Sequence, residues 1–336
     1  MILLGQSCNL TDKLIGKDSI LYFLLVLVLG VASNAHRRFL SLGECATVAA
    51  FGNFRDAILN SVPVGITRII RRMRGGSQAR LVLGDDSLYY VAKFAGNPQG
   101  NRCLVNECFA GQVLKQMGIS TPNLRVLRLP QALESEDLCF QVGSKRLAPQ
   151  GRLHLGSQSP VNPETTMILD FLPCKLLPKV VNLTEFAAML VFDKWVAQTD
   201  SRQAIFVRDR SLVRDIGFRA YFIDHGMSFN GAEWQLRDAP VNGIYFRREV
   251  YSNLDLEALI EKAVCRLETI SEAFLLGTLD GIPSAWLATG DRESFVILIG
   301  KLQQRQPKLR SIVSRHLKAV GLPTPGSDDR TFLARV

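Results

Sequence analysis

No Cys-x-x-Cys pair occurs in the 336 residues, and the seven cysteines (8, 45, 103, 108, 139, 174, 265) and four histidines (36, 154, 225, 316) follow no zinc spacing. A zinc ribbon, a thioredoxin-like redox centre and a disulfide scaffold are thereby excluded. Scattered cysteines in odd number suit reduced, buried thiols in a cytoplasmic protein. No internal repeat is present, and no glycine or heptad periodicity of the collagen or coiled-coil kind. Charge of one sign is also modest. The formal net charge is +9, with 47% apolar and 21% charged residues, so wholesale disorder is excluded. Residues 1–75 hold nine basic and four acidic side chains, which leaves +4 for the remaining chain. A nucleic-acid binder spreads its surplus over a working surface, so the sequence carries no specific nucleic-acid signal.

The longest apolar run, residues 20–32, is thirteen residues, with no charge from Ser19 to Ala35. That is the length of a signal-peptide core and short of a comfortable membrane span. His36, Arg37 and Arg38 follow it directly, which suits an anchor with its downstream part in the cytosol and opposes clean export. Three readings stand for residues 1–57: a short membrane anchor, a cleaved signal, or a peripheral segment or early start. The last is favoured, because the part of the chain that carries motifs begins near residue 58.

From there the sequence alternates strand and helix signals. Arg71 to Gln78 is a basic turn with two glycines, followed by strand-like runs at 79–83 and 88–94 around the turn Gly84-Asp85-Asp86-Ser87. In the second run Leu88, Tyr90, Ala92 and Phe94 share one face, with Tyr89, Val91 and Lys93 on the other. Helical spacing runs over 102–117 and ends at Gly118, ahead of Thr121-Pro122. Residues 124–166 read as irregular with short strands. A compact strand is expected over 167–172, and a helix over 183–197 capped by Asn182 or Thr184. Strands at 204–208 and 220–223 flank a polar segment, and helices are expected near 254–275, 292–303 and 306–320.

Four of these elements bring chemistry. A lysine on a strand, a glutamate fourteen residues later on a helix, an aspartate in a polar loop after a long helix, and Asp-x-Gly after a strand occur in that order. Phosphoryl transfer from ATP needs such parts. A Lys on a rigid strand pairs with the triphosphate, and a Glu on the neighbouring helix holds that Lys. A glycine-bearing turn offers main-chain N–H groups to phosphate oxygens. One carboxylate orients or deprotonates the acceptor, and another holds Mg²⁺. Lys93, Glu107, the 74–78 turn, Asp200 and Asp224 fit these roles in sequence order.

The phrases that hold these residues are Arg-Gly-Gly-Ser-Gln at 74–78, Tyr-Tyr-Val-Ala-Lys-Phe at 89–94, Gly-Asn-Pro-Gln at 96–99, Val-Asn-Glu at 105–107, Phe-Asp-Lys-Trp at 192–195, Asp-Ser-Arg-Gln-Ala-Ile-Phe at 200–206 and Ile-Asp-His-Gly at 223–226. Over about 200 residues, from near 58 to near 260, the chain resembles the HipA-like kinase family, a branch of the protein-kinase-like fold. The resemblance implies an α+β, two-lobed domain over 58–325. Its small β-rich N-lobe would span about 58–172 and its mainly helical C-lobe about 173–325, with a tail at 326–336. It implies ATP and Mg²⁺ as cofactors and a Ser/Thr hydroxyl of a protein as acceptor. Lys93 would lie on the phosphates and Glu107 opposite it. Asp200 would be the catalytic base and Asp224 a metal ligand. Gly75, Gly76, Ser77 and Gln78 would cradle phosphate, and the hinge strand with Leu169 and Phe171 would face adenine.

The sequence also departs from that family's wider pattern. Gln198-Thr199-Asp200 stands where His-Arg-Asp is usual, and the second metal ligand, ordinarily Asn, is replaced in position by Gln203, whose longer stem reaches Mg²⁺ only if the loop relaxes. The turn has two adjacent glycines in place of Gly-x-Gly-x-x-Gly. A nucleotide- or partner-binding pseudokinase is the alternative to an active transferase, and a membrane-associated scaffold using 20–32 is a third class. Arg202 could pair with a phosphate or with Asp200. His225, Asp193 and Trp195 read as packing or structural residues.

Overall fold

The computed structural model describes residues 62–209, 217–252 and 254–322. The chain divides into the units Met1–Arg55 and Asp56–Val336, and every described residue belongs to the second. The apolar run at 20–32 lies outside the described residues. Among these, no helix is long and apolar enough to cross a membrane.

The N-terminal part is a closed barrel of β1 (Val64–Arg72), β2 (Arg80–Gly84), β3 (Tyr89–Lys93), β7 (Leu153–Gln158) and β4 (Leu124–Arg128), in the order β1-β2-β3-β7-β4. The first three strands form a meander with Leu81 opposite Val91. A short parallel pairing of Val64 with Leu127 closes the ring. The alternation expected in β3 is present: Tyr90, Ala92 and Phe94 are buried in a small core with Val64, Val82, Leu127 and Phe140, which leaves Lys93 on the opposite face. The 124–166 stretch is more ordered than its sequence suggests. It supplies β4 and β7 to the barrel and a separate hairpin, β5 (Phe140–Val142) with β6 (Lys145–Leu147).

Helix α1 (Asn101–Gln116) is buried on nearly every side, from Cys103 to Leu114. It ends as expected, with Gly118 at φ 68° and the Ile119 amide returned to the Leu114 carbonyl. Beyond the barrel, β8 (Ile168–Leu169), β9 (Gln203–Asp209) and β10 (Gly217–Ile223) form one antiparallel sheet in the order β10-β9-β8. The strand expected over 167–172 is therefore only two residues long, and it pairs with β9 on the helical side.

Helix α2 (Glu185–Trp195) packs beneath the sheet, with Phe186 against Phe206, Phe222 and Tyr245. Asn182 does not cap α2. Its amide donates to the Ala220 carbonyl and accepts from the Ala220 amide, both at 2.9 Å, and so completes the edge of β10. The helix expected over 254–275 is two, α3 (Leu256–Glu268) and α4 (Glu272–Gly277), because Ser271 restarts the chain by accepting from the Phe274 amide at 3.1 Å. Helices α5 (Asp291–Arg305) and α6 (Leu309–Ala319) complete the described chain. One large core runs through these helices, α1 and the inner face of β9–β10.

Candidate active site

Lys93 ends β3, and its backbone register opposite Leu155 fixes where its side chain leaves the barrel. The ammonium lies between two carboxylates. It donates to Glu107 Oε1 on α1 and to Asp224 Oδ1, the latter at 2.8 Å. Burial disfavours the charged ammonium, but Glu107 and Asp224 outweigh it and raise its pKa. In return the nearby Lys93 ammonium pulls the Asp224 carboxyl down to about 2, against the opposing effect of burial. Glu107 also accepts from the Gly226 amide at 3.1 Å, so one carboxylate ties the lysine to the loop after β10.

Asp224 occupies the left-handed region, with φ 61°. Residues other than Gly, Asn and Asp seldom sit there, and the turn aims the carboxylate back across the sheet at Lys93. Gln203 opens β9 directly opposite Ile223 and donates its amide to Asp224 Oδ2 at 2.9 Å. The longer stem thus reaches the Asp224 carboxylate with the loop as it stands. Asp200 is exposed at the end of its loop, which is anchored by the Thr199 amide to the Met227 carbonyl at 3.2 Å and by the Gly243 amide to the Asp200 carbonyl at 2.9 Å. Partial burial, and next the Asp224 charge, raise its pKa, so the two carboxylates share one electrostatic field.

The Asp224 and Asp200 carboxylates and the Gln203 amide carry oxygens of the kind that could hold Mg²⁺ or Mn²⁺. Among the described residues no group of three or more His, Cys, Asp or Glu could hold a metal by itself.

The other expected contacts are distributed differently. The 74–78 turn closes the β1–β2 hairpin with the Gln78 amide on the Gly75 carbonyl at 3.1 Å, and Gly75 has φ 114°. A side chain at Gly76 would press on Gln99, and Ser77 is buried. Gln78 has its side chain committed to β5: it donates to the Gln141 carbonyl at 2.6 Å and accepts from the Gln141 amide at 2.9 Å. The turn therefore has main chain, and not that amide, to offer an anion. Leu169 lies opposite Phe206 in the β8–β9 pair, and Phe171 is exposed beneath the Arg247 guanidinium. Cys103 is buried and its thiol is pushed up to about 12, as an inert core cysteine should be.

Two residues at the site do what the sequence reading does not give them. Asn106, beside Glu107, is fully buried. It donates to the carbonyls of Gly226, Ser228 and Gly231 at 2.8–2.9 Å and accepts from the Trp234 indole at 2.8 Å. Arg202 makes its ion pair with Asp193 and not with Asp200, forking onto both carboxylate oxygens. The only sequence signal for Asn106 is a polar residue inside an apolar helical stretch, and Arg202 stands in a polar loop where nothing marks it out.

Two solved kinase structures are similar in shape. One, of the Golgi casein kinase with Mn/ADP bound, is 11% identical at a TM-score of 0.44 and covers 84% of this chain and 80% of its own. The other, also of the Golgi casein kinase, is 11% identical at 0.42 and covers 83% and 79%. No curated protein matches in sequence. The profile described as HipA-like kinase matches residues 66–317, three quarters of the chain. With Lys93, Glu107, Asp224 and Gln203 already in mutual contact inside that span, the chain belongs to the HipA-like kinase family.

Proposed function

We propose that this domain moves the γ-phosphoryl group of ATP to a hydroxyl acceptor, a Ser or Thr of a protein, with a divalent cation. The observation that carries the reading is the Lys93 ammonium held between Glu107 and Asp224. A bare lysine paired to two carboxylates is preorganised to exchange one of them for phosphate oxygens without moving its strand. When bound, Mg²⁺ supplies charge neutralisation on the phosphates; Asp224 and Gln203 would hold it. Lys93 would bind phosphate oxygens, and Glu107 would keep the ammonium in place. Asp200 would orient the acceptor hydroxyl and take its proton at the carboxylate.

The face of the sheet beside Asp224 supports a nucleotide as well. Ile205 lies on the same face of β9 as Gln203, and it pairs with Tyr221 as Gln203 pairs with Ile223. These half-buried side chains continue from the acidic end as an apolar surface suited to a base. Incubation of the full chain with γ-labelled ATP and Mg²⁺ or Mn²⁺ should yield label on protein. Absence of both label transfer and ATP hydrolysis, under conditions where ADP and metal still raise the melting temperature, would favour the second reading. That reading is a nucleotide-binding pseudokinase, and the observation behind it is Gln203 in place of the usual Asn.

A further inference from the structure

Arg202 sits two residues beyond Asp200, and its side chain is 1% exposed against an Asp193 side chain at 0%. Its guanidinium is spent on two jobs. Nε and Nη2 donate to Asp193 Oδ2 and Oδ1 at 2.9 and 2.5 Å, a two-pronged pair anchored in the last turn of α2. Nη1 donates to the Ile223 carbonyl at 2.7 Å and the Asp224 carbonyl at 3.2 Å, and lies 3.1 Å from His225 Nδ1. The carbonyls on either side of the Asp224 Cα are thus held by one buried group. This matters because Asp224 has φ 61° without being glycine. A residue in that region persists only where its surroundings over-determine it.

The main chain of Arg202 extends the same frame. Its amide donates to the Ile244 carbonyl at 3.2 Å, while the adjacent Gly243 amide holds the Asp200 carbonyl at 2.9 Å. Gly243 leaves room for the pair: at φ 71°, a Cβ there would lie 2.6 Å from the Asp193 Cβ. The lower floor of the site, Asp200 with Asp224, is therefore referenced to α2 through one ion pair.

We infer that Arg202 and Asp193 are positioning residues, which set the main chain around Asp224 so that its carboxylate meets the metal and stays in register with Asp200. The inference rests on the phosphotransfer reading above and goes beyond it, since neither residue touches substrate. Lysine cannot replace the arginine, because a single ammonium cannot fork onto Asp193 and also reach two carbonyls.

The test uses the full chain and two variants: Arg202→Lys, and the double variant Arg202→Met with Asp193→Leu. The double variant removes both buried charges together and leaves no unpaired carboxylate, at the cost of the donor to the Ile223 and Asp224 carbonyls. Mn²⁺ is titrated into protein with ADP, read by calorimetry, and into the ATP turnover assay. The expected result is a cooperative melt in both variants, at a lower temperature than the wild type, with the Mn²⁺ midpoint raised about 10- to 100-fold in both assays. Turnover should recover in part at high Mn²⁺, which a general loss of structure would not permit. A folded variant with the wild-type Mn²⁺ midpoint overturns the inference. So does failure of both variants to fold, which would make the pair a folding element alone. Wild-type protein with no metal-dependent ADP binding would overturn the phosphotransfer reading itself, and this inference with it.

Discussion

Lys93 illustrates how much at the residue scale depends on partners and how little on residue type. A strand lysine is ordinarily solvated, and alternation in 88–94 says only that its face differs from that of Tyr90 and Ala92. What makes it a functional candidate is that two carboxylates, from α1 and from the loop after β10, meet on its ammonium. Replacement of Lys93 by Ala should therefore lower ATP turnover by about a hundredfold or more while the protein remains folded. It should also return the Asp224 carboxyl from about 2 to its ordinary range or above, because the ammonium is the main cause of its depression. NMR titration of the Asp224 side chain checks the second outcome independently of any activity. Asp224→Ala should abolish turnover equally. Unchanged turnover in either variant would defeat the assignment of these residues.

At the scale of elements, α1 is the part that joins the site to the core. Its buried face carries Phe109 against Trp195, Phe229 and Phe295, and the same helix presents Glu107 to Lys93. Asn106 fixes the following loop by donating to three carbonyls from 226 to 231, a segment in which Phe229 and Asn230 both have φ near 60°. Asn106→Ala would strand those carbonyls and the Trp234 indole in a dry interior. The expected loss of stability is about 3 kcal/mol, measured by urea unfolding. Because the Gly226 amide bonds Glu107, turnover should fall as well. The phrase Val-Asn-Glu was legible in the sequence, but only the packed loop gives its central residue a purpose.

The whole molecule responds to acid through histidines it buries neutral. His154 is fully buried. Its Nδ1 accepts from the Ala95 amide, its Nε2 has no hydrogen-bond partner, and burial lowers its pKa from 6.5 to about 4. His316 is lowered to about 4 by burial and then by the Lys194 charge, and His225 lies well below its usual value for the same first reason. In each case the unfolded chain binds a proton more readily than the folded one. Stability is thus full above pH 6.5 and falls as pH drops toward 4. His154 alone accounts for up to about 3 kcal/mol of that fall. His154→Asn, which keeps an acceptor for the Ala95 amide, should flatten the decline in urea midpoints between pH 6.5 and 4; an unchanged slope would refute the assignment.

The strands β2, β3, β9 and β10, the helices α1 and α2, the burial pattern of β3, the end of α1 and the order Lys93, Glu107, Asp200, Asp224 were legible in the sequence alone, whereas β1 and the strands within 124–166 were not. The legible features follow from periodicity, turn chemistry and motif order, which are local properties of the chain. The closure of the barrel by β4 and β7, the pairing of β8 with β9, the reach of Gln203 to Asp224 and the choice of Asp193 as partner for Arg202 were decided only by tertiary structure. Strand pairing and ion pairing between distant segments depend on which faces meet in three dimensions. A buried arginine takes whichever carboxylate loses water with it, and no spacing along the chain encodes that choice.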